Sequence, residues 1–435
     1  MAWTKTVTIK KQSSSPIYDS RFLSVDRPAA VSSVTRRNIT WNFSSPAYVV
    51  DFLNGDHQVI ADTGLTVSSI SPAWNGIGNG TMVNPQHGLD QGFDTRMKNN
   101  TYDANNNTQS EAIDCSTVKS IVSCESKIAD AVGDDPQLDS IEVLTVTPYA
   151  ITGFRPPYSG ADKSFLVNES DLNYAALGSN DRTPLVSVPD INTLAEDYSR
   201  PIIEYNSIWT GRYTHPDLNM PTYGREIGYW IDNATLSLQL DYTNEQKRDL
   251  LINTVQMSID LHGAINNGMS WSADGGHNQG RKALLLLGAK VLNNSAMLAQ
   301  CNNTTNINLF QEDSQIFTVS QSDVDLPRYT GDGRTRDPYT APMIGTPEWG
   351  EKHYSDPARD GSNWGVFYRD VSGSAVIGGC LAAHLMGAKD DWDNPVLFDY
   401  YENRYWPTEE PDRANASNQI HLFTASVWDN YGATA

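Results

Sequence analysis

Cysteine is scarce in this 435-residue chain: Cys115, Cys124, Cys301 and Cys380 are the four, and none stands in Cys-x-x-Cys spacing. A zinc knuckle is therefore not expected. Cys115 and Cys124 are close enough in sequence for a local bridge, which the sequence leaves open. Cations are also in deficit, with 31 Lys and Arg against 52 Asp and Glu, a formal charge of −21. Duplex nucleic acid is then a poor partner, because phosphate binding needs clustered cations. No run of about 18 apolar residues is present to span a membrane. The start, Met1-Ala2-Trp3-Thr4-Lys5-Thr6-Val7-Thr8-Ile9, lacks the apolar segment of a signal peptide and reads as a strand. Export by another route, a trimmed leader, or release by lysis as part of a virus are the expectations that follow.

Aromatic residues are abundant: 11 Trp and 20 Tyr. Such side chains fill cores, and they also stack on the apolar faces of sugars. Residues 1–160 read as β structure. Ile39, Trp41 and Phe43 alternate with polar residues, residues 48–53 run into the turn Asn54-Gly55-Asp56, and residues 65–70 and 141–147 are further strand candidates. An antiparallel β-sandwich is expected there. Within it, residues 71–96 form a long irregular stretch, either a surface loop packed by Trp74 and Met82 or one reaching over a cleft with Trp74, Asn84 and Arg96 on a ligand.

Residues 161–195, rich in Asp, Ser, Asn and Pro, read as a linker. From 196 to 435 the period becomes helical, over 194–205, 223–242, 244–265, 276–298, 372–388 and 395–406. Thr243-Asn244-Glu245 caps one of these helices. Gly373, Ala375, Gly378, Gly379, Ala382 and Ala383 make a small-residue face for close helix approach. The fold class expected is an α+β multidomain protein, an antiparallel β-sandwich followed by an all-α (α/α) toroid-like domain, open to homo-oligomerisation or assembly into a larger particle.

The densest signal is residues 270–290. A polar turn, Asp274-Gly275-Gly276-His277-Asn278-Gln279-Gly280-Arg281-Lys282, launches an apolar run, Leu284-Leu285-Leu286-Leu287. Asp274 is the expected N-cap, which puts His277, Asn278 and Arg281 in the first turn, where the helix dipole favours anions. A phosphate-binding loop is excluded, because Gly280 is followed by Arg281-Lys282-Ala283 with no hydroxyl for magnesium. A second loop, residues 209–225, carries Trp209, His215, Tyr223 and Arg225 into a helix. A third, residues 331–339, holds Asp and Gly in a pattern hinting at calcium, but without EF-hand spacing. No cofactor is expected, with one structural calcium ion left open. A zinc site would need His215, His262, His277 and His353 to converge.

His215, Tyr223, Arg225, Tyr229, His277, Asn278 and Arg281 near helix starts are the ingredients for removing a proton beside a carboxylate. Arg or Asn neutralises a uronate carboxylate, which acidifies the C5 proton, and Tyr or His serves as base and acid. A β-sandwich joined to an (α/α) toroid, with His277-Asn278 on one loop and Tyr223 and Arg225 on another, resembles the polysaccharide lyases that cleave uronic-acid polymers. Those families usually place the toroid first, and their Asn-His order is inverted here. The resemblance implies β-elimination of an acidic polysaccharide outside the cell. Tyr223 or His277 would be the base, Tyr229 the acid, and Arg225, Arg281 and Asn278 the neutralisers. Trp74, Asn84, Arg96, Trp209, His215 and Trp271 would then contact substrate. Separately, Asn79-Gly80-Thr81-Met82-Val83-Asn84-Pro85, Gln91-Gly92-Phe93-Asp94-Thr95-Arg96 and the Gly275–Lys282 motif are similar to uncharacterised bacterial and phage proteins, a likeness that carries no activity. Two alternatives stay open. One is a hydrolase using carboxylates such as Asp232, Glu226 or Glu348. The other is a virion tail, fibre or surface-assembly protein that binds glycan without catalysis.

Overall fold

The computed structural model describes residues 29–61, 64–88, 90–97, 102–109, 111–127, 138–206, 215, 225–271, 273, 276–306, 309–327, 329–331, 334–336, 338–350, 372–409 and 422–432. The chain is a mixed α+β protein, a curled N-terminal sheet followed by a helical region.

Eight strands make the sheet: β1 (Val31–Arg36), β2 (Ile39–Asp51), β3 (His57–Ile60), β4 (Thr66–Ser71), β5 (Thr81–Val83), β6 (Ile113–Asp114), β7 (Lys119–Ser126) and β8 (Leu138–Thr147). Their order is β5-β7-β8-β3-β2-β4-β6, with β1 also on β2. Hydrogen bonds thus join in one half-barrel sheet the strands that the alternating pattern assigns to a sandwich. One pairing, β3 with β8, is parallel. Alternation along the strands feeds two apolar clusters. Ile39, Trp41 and Phe43 meet Ile121, Leu144 and Val146 in one, while Val122, Cys124 and Val143 meet Phe93 and Tyr158 in the other. Cys115 belongs to the first cluster and Cys124 to the second. The four thiols are accordingly free and buried.

The helical region begins with α1 (Ile191–Tyr198), capped by Asp190, whose carboxylate accepts the N–H groups of Asn192 and Thr193. The expected continuation to residue 205 fails at Pro201, which lacks an N–H and pushes Arg200 out of helical geometry. Then come α2 (Glu226–Ser237), α3 (Asn244–Asn266), α4 (Arg281–Val291), α5 (Ser295–Cys301), the short α6 (Gln311–Gln315) and a helix at Ile377–Leu385. Thr243 and Gln246 close a capping box on α3. The four leucines of α4 are wholly buried, as befits a helix covered on every side. No helix among the described residues is long and apolar enough to cross a membrane.

The region is not all-α. Strands β9 (Ile316–Thr318) and β12 (Pro347–Trp349) pair, as do β10 (Tyr329–Gly331) and β11 (Arg334–Arg336). The paired strands β10 and β11 overlap the stretch, residues 331–339, whose Asp and Gly hint at a calcium loop. Asp332, Gly333 and Asp337 lie outside the described residues.

Small residues let the helices touch. A Cβ on Gly378 would sit 2.5 Å from the Asp232 carboxyl carbon, and one on Gly379 would sit 2.6 Å from the Ala283 methyl. Gly280 is constrained in two ways. Its φ is +92°, and a Cβ would lie 2.6 Å from the Gly228 Cα. This left-handed residue is why α4 starts at Arg281 and not near residue 275: a helix interior does not accommodate it. His277 and Asn278 therefore precede the helix and do not lie in its first turn, and the expected cap Asp274 lies outside the described residues. Gly280→Ala should cost about 1–2 kcal/mol from backbone strain alone, with the backbone clash adding to it. Denaturant unfolding measures the loss, and an unchanged midpoint would contradict this geometry.

The two halves are riveted by Arg155, whose side chain is fully buried. Its Nε donates to Asp56 in the β2–β3 turn at 2.7 Å, and its Nη1 and Nη2 donate to Asp260 of α3 at 2.9 and 2.6 Å. The segment Arg155-Pro156-Pro157-Tyr158, just ahead of the expected linker, is thus a packed junction.

Candidate functional site

Residues 201–206 run extended between the halves, and their side chains alternate as in a strand. Ile203 and Tyr205 enter the sheet cluster around Phe93 and Tyr158, whereas Ile202 joins the helical core. Glu204, between them, becomes the hub of the site. Its Oε1 accepts from Arg281 Nε at 2.8 Å and its Oε2 from Trp271 Nε1 at 2.8 Å. His215 Nε2 stands 3.8 Å from Oε1. The Glu204 backbone N–H donates to the Tyr158 hydroxyl at 2.6 Å, fixing the segment against the sheet.

All four side chains are buried: Glu204 is 5% exposed, Arg281 2%, His215 1% and Trp271 0%. Burial opposes charge on Glu204, but Arg281 and the donated hydrogen bonds outweigh it and hold the carboxyl below its ordinary value. Burial acts the other way on His215. It drives the imidazole down to about 4, against the attraction of Glu204 and with Arg281 adding to the fall. The result is a neutral imidazole beside a carboxylate whose charge is matched by a guanidinium.

Three residues singled out in the sequence, His215, Trp271 and Arg281, are thus brought together, and they meet on a glutamate the sequence reading missed. The available signal was one carboxylate inside Ile202-Ile203-Glu204-Tyr205, since an acid in an apolar run needs a buried partner. Two of these side chains are already engaged in this structure. Arg281 spends its Nε on Glu204 and its Nη1 on the Gln279 carbonyl at 2.9 Å, so it is not placed to neutralise a substrate carboxylate. Trp271 is fully buried and lies flat on Phe310, with ring centres 5.7 Å apart, so it offers no face to a sugar.

Of the other candidates, those at the head of α2 and in the turn before α4 lie on elements that meet where Gly228 packs on Gly280, and those of the β half lie elsewhere. His277 and Asn278 are buried in the turn before α4, and the Asn278 backbone N–H donates to Gln311 Oε1 at 2.9 Å. Tyr229 points its hydroxyl at Ser374 Oγ, 2.6 Å away, and burial pushes its phenol up. Arg225 stands at the head of α2, its Nε 3.6 Å from Glu226, with a side chain 19% exposed. Asn84 Oδ1 accepts the Ser120 N–H at 2.8 Å. Arg96 is clamped by Asp94 through Nε and Nη2 at 2.9 and 2.6 Å. Trp74 stacks on Tyr102. Tyr223 and Trp209 lie outside the described residues, as does His353.

His262 is a satisfied helix histidine, its Nδ1 2.7 Å from Gln300 Oε1. Among the described residues no group of three or more His, Cys, Asp or Glu side chains is placed to hold a metal ion. Of the carboxylates considered for hydrolysis, Glu348 is fully buried on Arg404 and Glu226 faces Arg225.

Asp232 belongs to a second polar cluster, inside the helical core. Its Oδ2 accepts the Gly378 N–H at 2.9 Å while its Oδ1 is unpartnered, and burial raises its carboxyl well above the ordinary range. Glu312 accepts the Lys282 backbone N–H through Oε1 at 3.3 Å, and its Oε2 has no partner. Burial, and then the charge of Asp313, push Glu312 up to about 7. The Lys282 ammonium is engaged elsewhere, by Asp313 and the Trp392 carbonyl. An acid whose folded-state affinity for a proton is raised stabilises the fold below its unfolded value, and that contribution is lost as pH rises through 7. Glu312→Gln removes the titration, so the variant should gain up to about 3 kcal/mol on wild type between pH 5 and pH 8. Urea midpoints at the two pH values check this, and parallel pH dependence in both proteins would contradict it.

Compared with known proteins, the chain matches no family model, no curated protein and no solved structure.

Proposed function

We propose that this chain cleaves an acidic polysaccharide by β-elimination, acting outside the cell or at a virion surface. The observation that carries the reading is His215. With Nε2 turned to the Glu204 carboxylate at 3.8 Å, the neutral imidazole would carry its proton there, and its Nδ1, which has no hydrogen-bond partner among the described residues, would hold the lone pair that a general base needs. In the proposed step Nδ1 takes the C5 proton of a uronate. The electron pair forms a C4–C5 double bond, the C4–O bond breaks, and the leaving oxygen gains a proton. Tyr229 is kept protonated by its burial and fits the role of that acid. Arg225, whose side chain is 19% exposed, and Asn278 are the groups for the uronate carboxylate in place of Arg281. Because His215 is buried, substrate reaches it only in an opened form of the site.

The closed pairing of Arg281 and Trp271 with Glu204 favours a second reading, in which the cluster simply locks a glycan-binding virion or surface-assembly protein. Product masses after incubation with alginate, pectate and hyaluronan separate the two. Elimination yields an unsaturated fragment one water lighter than the hydrolytic one. Intact polymers, together with ordered particles in light scattering, would favour assembly, and fragments carrying the added water would move the case to a hydrolase.

A further inference from the structure

We propose that the β half carries a separate, non-catalytic surface for the pyranose rings of a neutral polysaccharide, built on Trp74 and Tyr102. This goes beyond the elimination reading and does not depend on it. The two rings are parallel within 4° with centroids 5.5 Å apart, and both side chains remain partly exposed. Ile77 beside them is 48% exposed. The two rings belong to none of the buried apolar clusters, so core packing does not account for them.

The loop holds the pair in place without burying it. Asn75 Oδ1 accepts the N–H groups of Ile77 and Gly78, each at 2.9 Å. Asn79 ties the loop to β7, donating from Nδ2 to the Ala73 carbonyl at 3.1 Å and accepting the Ser126 N–H at 2.9 Å. Gln109 donates to the Pro72 carbonyl at 2.9 Å, and Asn107 to the Tyr102 hydroxyl at 3.3 Å. A flat aromatic face fixed in advance loses little entropy when a ring lies on it.

Charge selects the ligand. The Thr95 N–H donates to the Ile77 carbonyl at 2.8 Å, bringing Arg96 alongside the loop, but that guanidinium is bound by Asp94 and by the Lys127 carbonyl. Arg96 is thereby not offered to a uronate or a phosphate, and the net charge of −21 repels polyanions. Stacked nucleobases are disfavoured on the same ground. Neutral pyranose rings, apolar on one face, are the class that fits.

Affinity electrophoresis of the full chain tests this in gels containing hydroxyethyl cellulose, galactomannan or alginate. We expect at least one neutral polymer to retard the wild type. Trp74→Ala should weaken that binding about five- to tenfold, while Trp74→Phe, which keeps a flat ring, should stay within about twofold. Melting temperature should be unchanged in both variants, which separates loss of this surface from loss of the fold. Wild type unretarded by either neutral polymer, retardation by alginate alone, or full retardation of Trp74→Ala would each overturn the proposal. If Trp74→Ala does not fold, a loss of retardation in folded Tyr102→Ala decides for it and full retention decides against it.

Discussion

Arg155→Leu is expected to destabilise the chain by about 3–5 kcal/mol, the scale seen when one partner of a buried ion pair is removed. Two aspartates, Asp56 from the sheet and Asp260 from α3, would be left buried without their shared cation. Burial already raises the Asp260 carboxyl, and Arg155 is the main force opposing that rise. Without the guanidinium the Asp260 carboxyl would bind its proton more tightly when folded. The variant should then be least stable above pH 7 and recover part of the loss near pH 5. Adding Asp56→Asn and Asp260→Asn should restore much of the stability, because what destabilises is the unpaired charge and not the missing volume. Denaturant unfolding of the single and triple variants at both pH values checks the sign. A single variant as stable as wild type would mean that the junction does not hold the halves together.

The second large effect concerns chemistry. His215→Asn should lower kcat by about 10²- to 10⁴-fold, the usual contribution of a positioned general base, with a small change in melting temperature because the imidazole it replaces is neutral. A base whose proton affinity has fallen to about 4 stays competent down to that pH. The acidic limb of kcat/KM should therefore lie near pH 4 and not in the ordinary histidine range. Glu204 is a positioning residue here. Glu204→Gln removes the charge that attracts a proton to His215, so the limb should move to lower pH, a change that loss of structure alone does not produce. It also leaves Arg281 buried without its counter-charge and should lower stability.

Local signals in the sequence were legible. The alternation at Ile39, Trp41 and Phe43 places these side chains in one buried cluster, and Thr243 with Gln246 caps α3 as its polar residues indicate. The small residues at 378 and 379 mark a close helix contact. Partnerships at long range were not legible. The periodicity of residues 57–60 does not specify a parallel strand 80 or so positions on, and Trp41 finds its hydrogen-bond partner, Ser123, on another strand. The same limit applied to the site. His215, Trp271 and Arg281 each looked available for a ligand when read alone, and only the fold reveals that Glu204 claims them. Arg96 likewise sits two residues from the aspartate that clamps it, a contact set by the turn and not by residue type. Pro201 and Gly280 were visible in the sequence and did set element boundaries, through a missing N–H and a left-handed backbone respectively.

The central claim is that His215, held at Glu204, removes a uronate proton. The most direct measurement is the ultraviolet absorbance of the conjugated double bond formed on alginate, pectate or hyaluronan, followed for wild type and His215→Asn side by side. The account predicts a steady rise with wild type on one of these polymers and a rise at least about a hundredfold slower with His215→Asn. An equal rise in both proteins would remove His215 from the chemistry, and a flat trace with wild type on all three polymers would contradict elimination of these substrates.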